Sequence, residues 1–420
     1  MDTPRDNWLA HQAAAAPDRL ALRSGGVDLT YAELAAEVRG ETRDLAANGI
    51  GRDSVVPLHL SPGPDFVIRL HALIELGAVA VPSPGGERPA LHPMRGTPGR
   101  LPPADVVCRL FTSGTTGEPR AIDLTRGNFH ASAFGSADAL AITPSDRWLC
   151  CLPLFHVAGL SILTRSAVYG TGAVLHAGFD VDAVAHSLAE DRVTIVSLVV
   201  TQIARLLKAG VDLSSPRAII AGGGPVPTEL IDEALARGAT IVQSYGMTET
   251  CSQVTLLEPD DARHKAGSAG RSLRGASLRT EEGEILVRGP MVAPGSVGED
   301  GWLRTGDLGR IDEDGFLWVE GRLGDMIVTG GENVQPTEIE DVLIAHADVA
   351  DAAVVGRPDP EWQEAVTAVV VMRPGTKADA AALRTHCVER LAGYKVPKRF
   401  EFAAELPRTA SGKLLRRKLR

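Results

Sequence analysis

Aromatic side chains are scarce. Phe, Tyr and Trp make up 4% of 420 residues, too few for the stacking surface that binds single-stranded nucleic acid. Cysteine is sparse too: Cys108, Cys150, Cys151, Cys251 and Cys387. The count is odd and none forms a C-x-x-C pair, so neither a zinc knuckle nor a disulfide framework is supported, and reduced thiols in a cytoplasm fit better. Positive charge is in deficit, with 43 basic against 53 acidic residues and a net charge of −10. That balance argues against a nucleic-acid or anionic-membrane partner. Long apolar runs are missing as well. The most apolar, residues 193–200, is far too short to span a bilayer and reads as a buried strand. Residues 1–6 lack the cationic and apolar regions of a signal peptide. The expectation is a cytoplasmic protein without a membrane span.

What is present is a sizeable core: 44% of the residues are hydrophobic, and the length predicts two or three domains. The 44 glycines and 27 prolines follow no three-residue period and imply many tight loops. Thr30, with Glu33 three residues on, has the spacing of a capping box and predicts a helix. Residues 77–82 read as a strand stopped by Pro82, and residues 83–103, rich in Pro, Gly and Arg, as a surface connection. From 106 to 255 the pattern is strand, glycine turn, helix, repeated. Residues 217–221, then Gly222-Gly223-Gly224-Pro225, then 228–237 are one such unit. This predicts a layered α/β sheet with ligands where strand ends meet loops. Residues 284–288 and 316–320 read as strands, the second after an Asp314-Gly315 turn. Beyond Gly321 come a helix from Pro336 to 345, strands at 352–355 and 365–372, a helix at 378–391 and a basic tail. The expected organisation is a large layered α/β domain, residues 1–324, and a small mobile α+β domain, residues 325–420.

Five segments carry chemistry. Thr112-Ser113-Gly114-Thr115-Thr116-Gly117 follows an apolar run. Its glycines let backbone N–H groups converge, and its hydroxyls add donors to phosphate oxygens. Pro119 follows where a Walker A loop would have Gly-Lys-Ser/Thr. Tyr245-Gly246-Met247-Thr248-Glu249 comes just after a strand at 240–243, and a hydroxyl beside a carboxylate suits a phosphate with its Mg²⁺. Asp307 and Arg322 fit a ribose and its phosphate, and each alone fits a turn or a surface ion pair. Lys413 stands in a Ser411-Gly412 loop near the C-terminus. Arg165, inside an otherwise apolar stretch, reads either as meeting a second carboxylate on a substrate or as an ion pair to a neighbouring Asp or Glu, because an unpaired buried charge is costly.

Arg165 apart, in chain order these five segments, with Asp307 and Arg322 counted as two, resemble the adenylate-forming enzymes: acyl-CoA synthetases, peptide-synthetase adenylation domains and luciferases. The resemblance runs from about Leu29 to Lys413. It implies that a carboxylate attacks the α-phosphate of ATP, releasing pyrophosphate, and that a thiol, usually of coenzyme A, displaces AMP. It also implies residue roles. Thr112 to Gly117 cradle pyrophosphate, Gly222, Gly223 and Gly224 pack on adenine, and Tyr245 joins the nucleotide site. Thr248 holds the α-phosphate, Glu249 ligates Mg²⁺, Asp307 and Arg322 bind ribose, and Lys413 bridges the α-phosphate and the attacking carboxylate. Asp325 is the hinge, and Gly330 and Gly331 line the pantetheine channel.

Arg120 replaces the family's usual lysine, and the connection at 83–103 is shorter than in the family, implying a trimmed N-terminal subdomain. Residues 151–166, with Gly222 to Pro225 and Ser244 to Gln253, resemble the o-succinylbenzoate–CoA ligases of menaquinone biosynthesis. That likeness puts His156, Arg165, Gly246 and Met247 at the acyl pocket and gives Arg165 its second carboxylate. Another acyl- or aryl-CoA ligase, and a stand-alone adenylation enzyme loading a carrier protein, are the alternatives. The expected partners are a small carboxylic acid, ATP, Mg²⁺ and coenzyme A, with homo-oligomerisation left open.

Overall fold

Alternating strand and helix signals between 147 and 255 become the greater part of a nine-stranded sheet. The computed structural model describes residues 7–52, 54–84, 105–113, 119–224, 226–258, 260–262, 264–376, 378–408 and 414–420. In spatial order the sheet runs Arg271–Ser272, Ser252–Leu256, Ile241–Met247, Ala218–Ala221, Ile195–Leu198, Arg147–Cys150, Gly172–Leu175, Leu20–Ser24 and Val27–Thr30. From Leu20–Ser24 across to Ile241–Met247 all neighbours are parallel. Strands buried on both faces need continuous apolar runs, and Ala218–Ala221 and Gly172–Leu175 are buried at every position.

The residue 193–200 run is a shorter strand than expected. Val199 ends it as the N-cap of the helix Val200–Lys208, because Gln202 reaches back to the Val199 N–H. The strand expected at 240–243 is longer, running on through Met247 because Ser252–Leu256 pairs back along it. A second, four-stranded sheet orders Val55–Leu58, Val79–Pro82, Val106–Ser113 and Pro119–Thr125.

Helices cover the large sheet. The Thr30 capping box forms as expected and starts Tyr31–Ala47. The Tyr31 hydroxyl donates to the carbonyls of Ser166 (2.7 Å) and Thr171 (2.8 Å), tying that helix to Val157–Tyr169. The latter helix is apolar nearly all round, and every residue but Ala158 is buried, which makes it a core helix.

By the density of its internal packing the chain forms two compact units. One holds residues 1–226, 230–278 and 287–303, the other 227–229, 279–286 and 304–420. In the second, Leu303–Ile311 and Leu317–Arg322 pair across the Asp314-Gly315 turn, where Gly315 takes φ +83°. A five-stranded sheet follows, ordered Glu332–Val334, Ile327–Thr329, Gln363–Met372, Val349–Asp359, with Arg399–Phe402 parallel to Gln363–Met372. That last strand and a 3₁₀ turn at Arg416–Lys418 lie in the stretch read as a basic tail. Helices Pro336–Ile344 and Ala380–Val388 pack on this sheet through Ile339, Leu343, Leu383 and Cys387.

Candidate active site

The parallel strands of the large sheet end together, and their C-terminal ends carry three of the segments singled out by sequence, those around His156, Gly222 to Gly224 and Thr248. Cys150 leads into the loop that ends at His156, Leu198 into Val199, Ala221 into Gly222-Gly223-Gly224, and Met247 into the turn Thr248–Thr250. This is the edge of an open α/β sheet where ligands bind. Small residues keep it open. A β-carbon at Gly222 would stand 3.1 Å from the Ser244 hydroxyl, and Gly223 has φ +83°. His156 begins the core helix and stacks at 4.5 Å on Phe155, and partial burial lowers its imidazole below the ordinary range. Gly159 lets that loop lie against the helix, since a β-carbon there would be 2.6 Å from the Pro153 carbonyl oxygen.

Thr248 and Glu249 sit at the tip of a strained hairpin. Gly246 faces Gln253 across it, and Cys251 and Ser252 both take left-handed φ, +50° and +93°. Two non-glycine residues held there cost on the order of 1–3 kcal/mol each and persist only where the surroundings over-determine them. Those surroundings are visible. Ser132 donates to the Cys251 carbonyl (2.8 Å), Thr250 donates to that of Ser252 (2.7 Å), and the Ala293 N–H donates to that of Glu249 (2.7 Å).

Arg165 is 2% exposed. Its guanidinium donates to Gln253 Oε1 (3.1 Å) and Ser132 Oγ (2.8 Å) and lies 5.8 Å from the centre of the Trp148 ring. Its Nε is buried without a partner. The ion pair weighed as one reading of its sequence context does not form: among the described residues no Asp or Glu pairs with Arg165, and neutral side chains hold it instead. Burial lowers its proton affinity. Ser132, Gln253 and Trp148 are the residues that sequence reasoning missed as a group, although Gln253 closes the quoted Ser244 to Gln253 stretch.

The phosphate loop is only partly described. Thr112 donates to the Arg120 carbonyl across the Val106–Ser113 and Pro119–Thr125 hairpin (3.4 Å), and Arg120 is exposed. The backbone of Ser113 closes its strand, and Gly114, Thr115, Thr116 and Gly117 lie outside the described residues. Tyr245 donates its N–H to Thr255 Oγ1 (3.3 Å), and Met247 is half-buried.

Within the second unit, Asp307 and Arg322 face each other in strand register and form an ion pair at 3.1 Å. Thr305 positions Asp307 by accepting its N–H (3.1 Å) while donating to the Ile285 carbonyl (2.7 Å). Gly330 and Gly331 form the two-residue turn between Ile327–Thr329 and Glu332–Val334, with φ +58° and +84°, and the Trp362 ring lies 3.0 Å from where a Gly330 β-carbon would be. Asp325 ends a 3₁₀ turn and accepts from Arg416 (3.2 Å). Lys413 lies outside the described residues. The segment containing it is bracketed by a bridge between Arg408 and Leu414.

The residues fit Mg²⁺ in one way. Glu249 is 8% exposed, and among the described residues no side chain donates to its carboxylate. Among the described residues no group of three or more His, Cys, Asp or Glu is placed to hold a metal. A lone unpaired carboxylate at a strand end suits a cation that brings its other oxygens from phosphates and water.

Comparison with known proteins agrees with this geometry. The family model described as AMP-binding enzyme matches residues 9–89 and 83–297, and that of the AMP-binding enzyme C-terminal domain matches 338–413. The first match breaks at the connection read as trimmed. The 2-succinylbenzoate–CoA ligase of Bacillus licheniformis is 38% identical over a 481-residue alignment covering 100% of both chains. The o-succinylbenzoate CoA synthetase of Bacillus subtilis, solved with its acyl-adenylate intermediate, is 36% identical with a TM-score of 0.90, over 99% of this chain and 98% of that one. The same enzyme solved with ATP and magnesium ion is 35% identical, with a TM-score of 0.87, over 98% of this chain and 99% of that one. Among the described residues no helix is long and apolar enough to cross a membrane. The chain belongs to the AMP-binding enzyme family.

Proposed function

We propose that this protein is an ATP-dependent o-succinylbenzoate–CoA ligase of menaquinone biosynthesis, working in the cytoplasm through an acyl-adenylate. The observation that carries the reading is the full-length kinship with a 2-succinylbenzoate–CoA ligase, supported by the unpaired Glu249 carboxylate at the strand ends. The substrates are a small carboxylic acid, ATP and coenzyme A, and the metal is Mg²⁺.

Two anions must meet in the first step, so positive and hydrogen-bonding groups have to stand where negative charge gathers. Thr112 to Gly117 hold the departing pyrophosphate, and Gly222 to Gly224 and Tyr245 hold the adenine end. Thr248 donates to the α-phosphate, and Lys413 bridges that phosphate and the attacking carboxylate. Asp307, oriented by Arg322, accepts from the ribose hydroxyls. Glu249 would hold Mg²⁺, which neutralises phosphate charge when bound. His156, Gly246 and Met247 line the acyl pocket. In the second step the coenzyme A thiol attacks the acyl carbonyl and AMP leaves. Residues 1–324 and 325–420 act as two domains with Asp325 as hinge, and Gly330 and Gly331 give the pantetheine arm bare backbone to run along.

The test is acid-dependent exchange of pyrophosphate into ATP, with o-succinylbenzoate beside benzoate and medium-chain fatty acids. Strong preference for o-succinylbenzoate supports the assignment. Comparable exchange with another acid would keep the adenylate chemistry and discard the substrate. Exchange without coenzyme A turnover would indicate loading of a carrier protein.

A further inference from the structure

A buried guanidinium without a counter-charge is costly, and Arg165 is one, with its Nε unpartnered. Its contacts show where it acts. Nη1 holds Gln253 Oε1 and Nη2 holds Ser132 Oγ. Ser132 donates its own O–H to the Cys251 carbonyl, and Gln253 Nε2 donates on to Ser136 Oγ (2.9 Å). Cys251 is the first of the two left-handed residues, Gln253 directly follows the second, and Gln253 pairs with Gly246 across the hairpin. The fork therefore ties the core helix Val157–Tyr169 to Gln253 and, through Ser132, to Cys251, both just after the turn that presents Thr248 and Glu249.

We infer that Arg165 is a positioning residue, which through Ser132 and Gln253 fixes the strained Cys251–Ser252 turn and so the placement of Thr248 and Glu249 for Mg²⁺ and phosphate. This reading differs from direct recognition of a second substrate carboxylate. Both outer nitrogens of Arg165 are already engaged, and its contacts lead to the hairpin. It rests on the proposed function for the identity of the ligands.

Arg165→Met keeps an unbranched apolar stem but removes the fork, and Arg165→Lys keeps charge without the fork. Binding of MgATP by equilibrium dialysis, over a range of Mg²⁺, reads placement directly and needs no acid. The expected result for Arg165→Met is a rise in half-saturating Mg²⁺ on the order of 10–100-fold, the usual loss when a group behind a metal ligand is removed. Arg165→Lys should recover only part of this. The melting temperature of Arg165→Met should hold or rise, because an uncompensated buried charge has gone, whereas a purely structural role would lower it and leave binding intact. Pyrophosphate exchange should fall equally with o-succinylbenzoate and with a matched monoacid.

Unchanged Mg²⁺ dependence in folded Arg165→Met, or a loss confined to the diacid, would overturn the inference. Ser132→Ala, a smaller change, keeps the test alive if Arg165→Met does not fold. It should also raise half-saturating Mg²⁺, and no change there would equally count against the inference. A wild-type protein that binds no MgATP would instead remove the proposed function, so the two failures are distinguishable.

Discussion

Gly246 is fixed by what a side chain would meet. A β-carbon there would fall inside contact distance of the Ser252 carbonyl and 2.6 Å from Gln253 Cα, both main-chain atoms that cannot swing aside. Gly246→Ala should cost about 1–3 kcal/mol, as overpacking does. It should also cut adenylation, since Met247 and Thr248 follow directly; thermal melting and pyrophosphate release check the two effects. Lys413→Ala should lower adenylation by on the order of 10²–10³-fold, the effect of losing one positioned donor, with the melting point unchanged.

At this scale the sequence was readable where chemistry needs a rare combination. A hydroxyl beside a carboxylate after a strand marked Thr248 and Glu249, and the structure puts them on a turn at the strand ends. It was unreadable where partners are ordinary. Ser132 and Gln253 lie 33 and 88 residues from Arg165, and nothing in a serine or a glutamine announces that it holds a buried cation.

Elements were legible where local chemistry starts or stops them. Thr30 with Glu33, Pro336 at a first turn, and Asp314-Gly315 each gave the expected cap or hairpin. Boundaries set by distant pairing were not. Ile241–Met247 extends past Gln243 only because Ser252–Leu256 folds back on it, and Arg399–Phe402 is a strand only because Gln363–Met372 offers an edge. Tyr31 tests how one element seats another. Tyr31→Phe removes both hydrogen bonds to the segment after the core helix and its last turn. Stability should fall by about 1–3 kcal/mol, read from the urea midpoint, with the substrate preference unaltered.

For the whole molecule, one buried group adds acid sensitivity. Burial pulls the His71 imidazole from 6.5 down to about 4. The folded state therefore binds that proton more weakly than the unfolded chain does. Well above pH 6.5 neither form is protonated and nothing is lost. As pH falls from 6.5 towards 4 the unfolded chain takes up the proton first, and stability drops by at most about 3 kcal/mol. His71→Met should flatten that stretch of the stability–pH curve in chemical denaturation, and an unaltered slope would assign the acid sensitivity elsewhere.

A two-step ligation at one site is read out by its products. Purified protein is given ATP, Mg²⁺, o-succinylbenzoate and coenzyme A, and the mixture is resolved by mass spectrometry. The expected products are the o-succinylbenzoyl-CoA thioester with matching amounts of AMP and pyrophosphate, and acyl-adenylate alone when coenzyme A is withheld. Absence of both thioester and adenylate, from protein that is folded and binds MgATP, would contradict the two-step ligation.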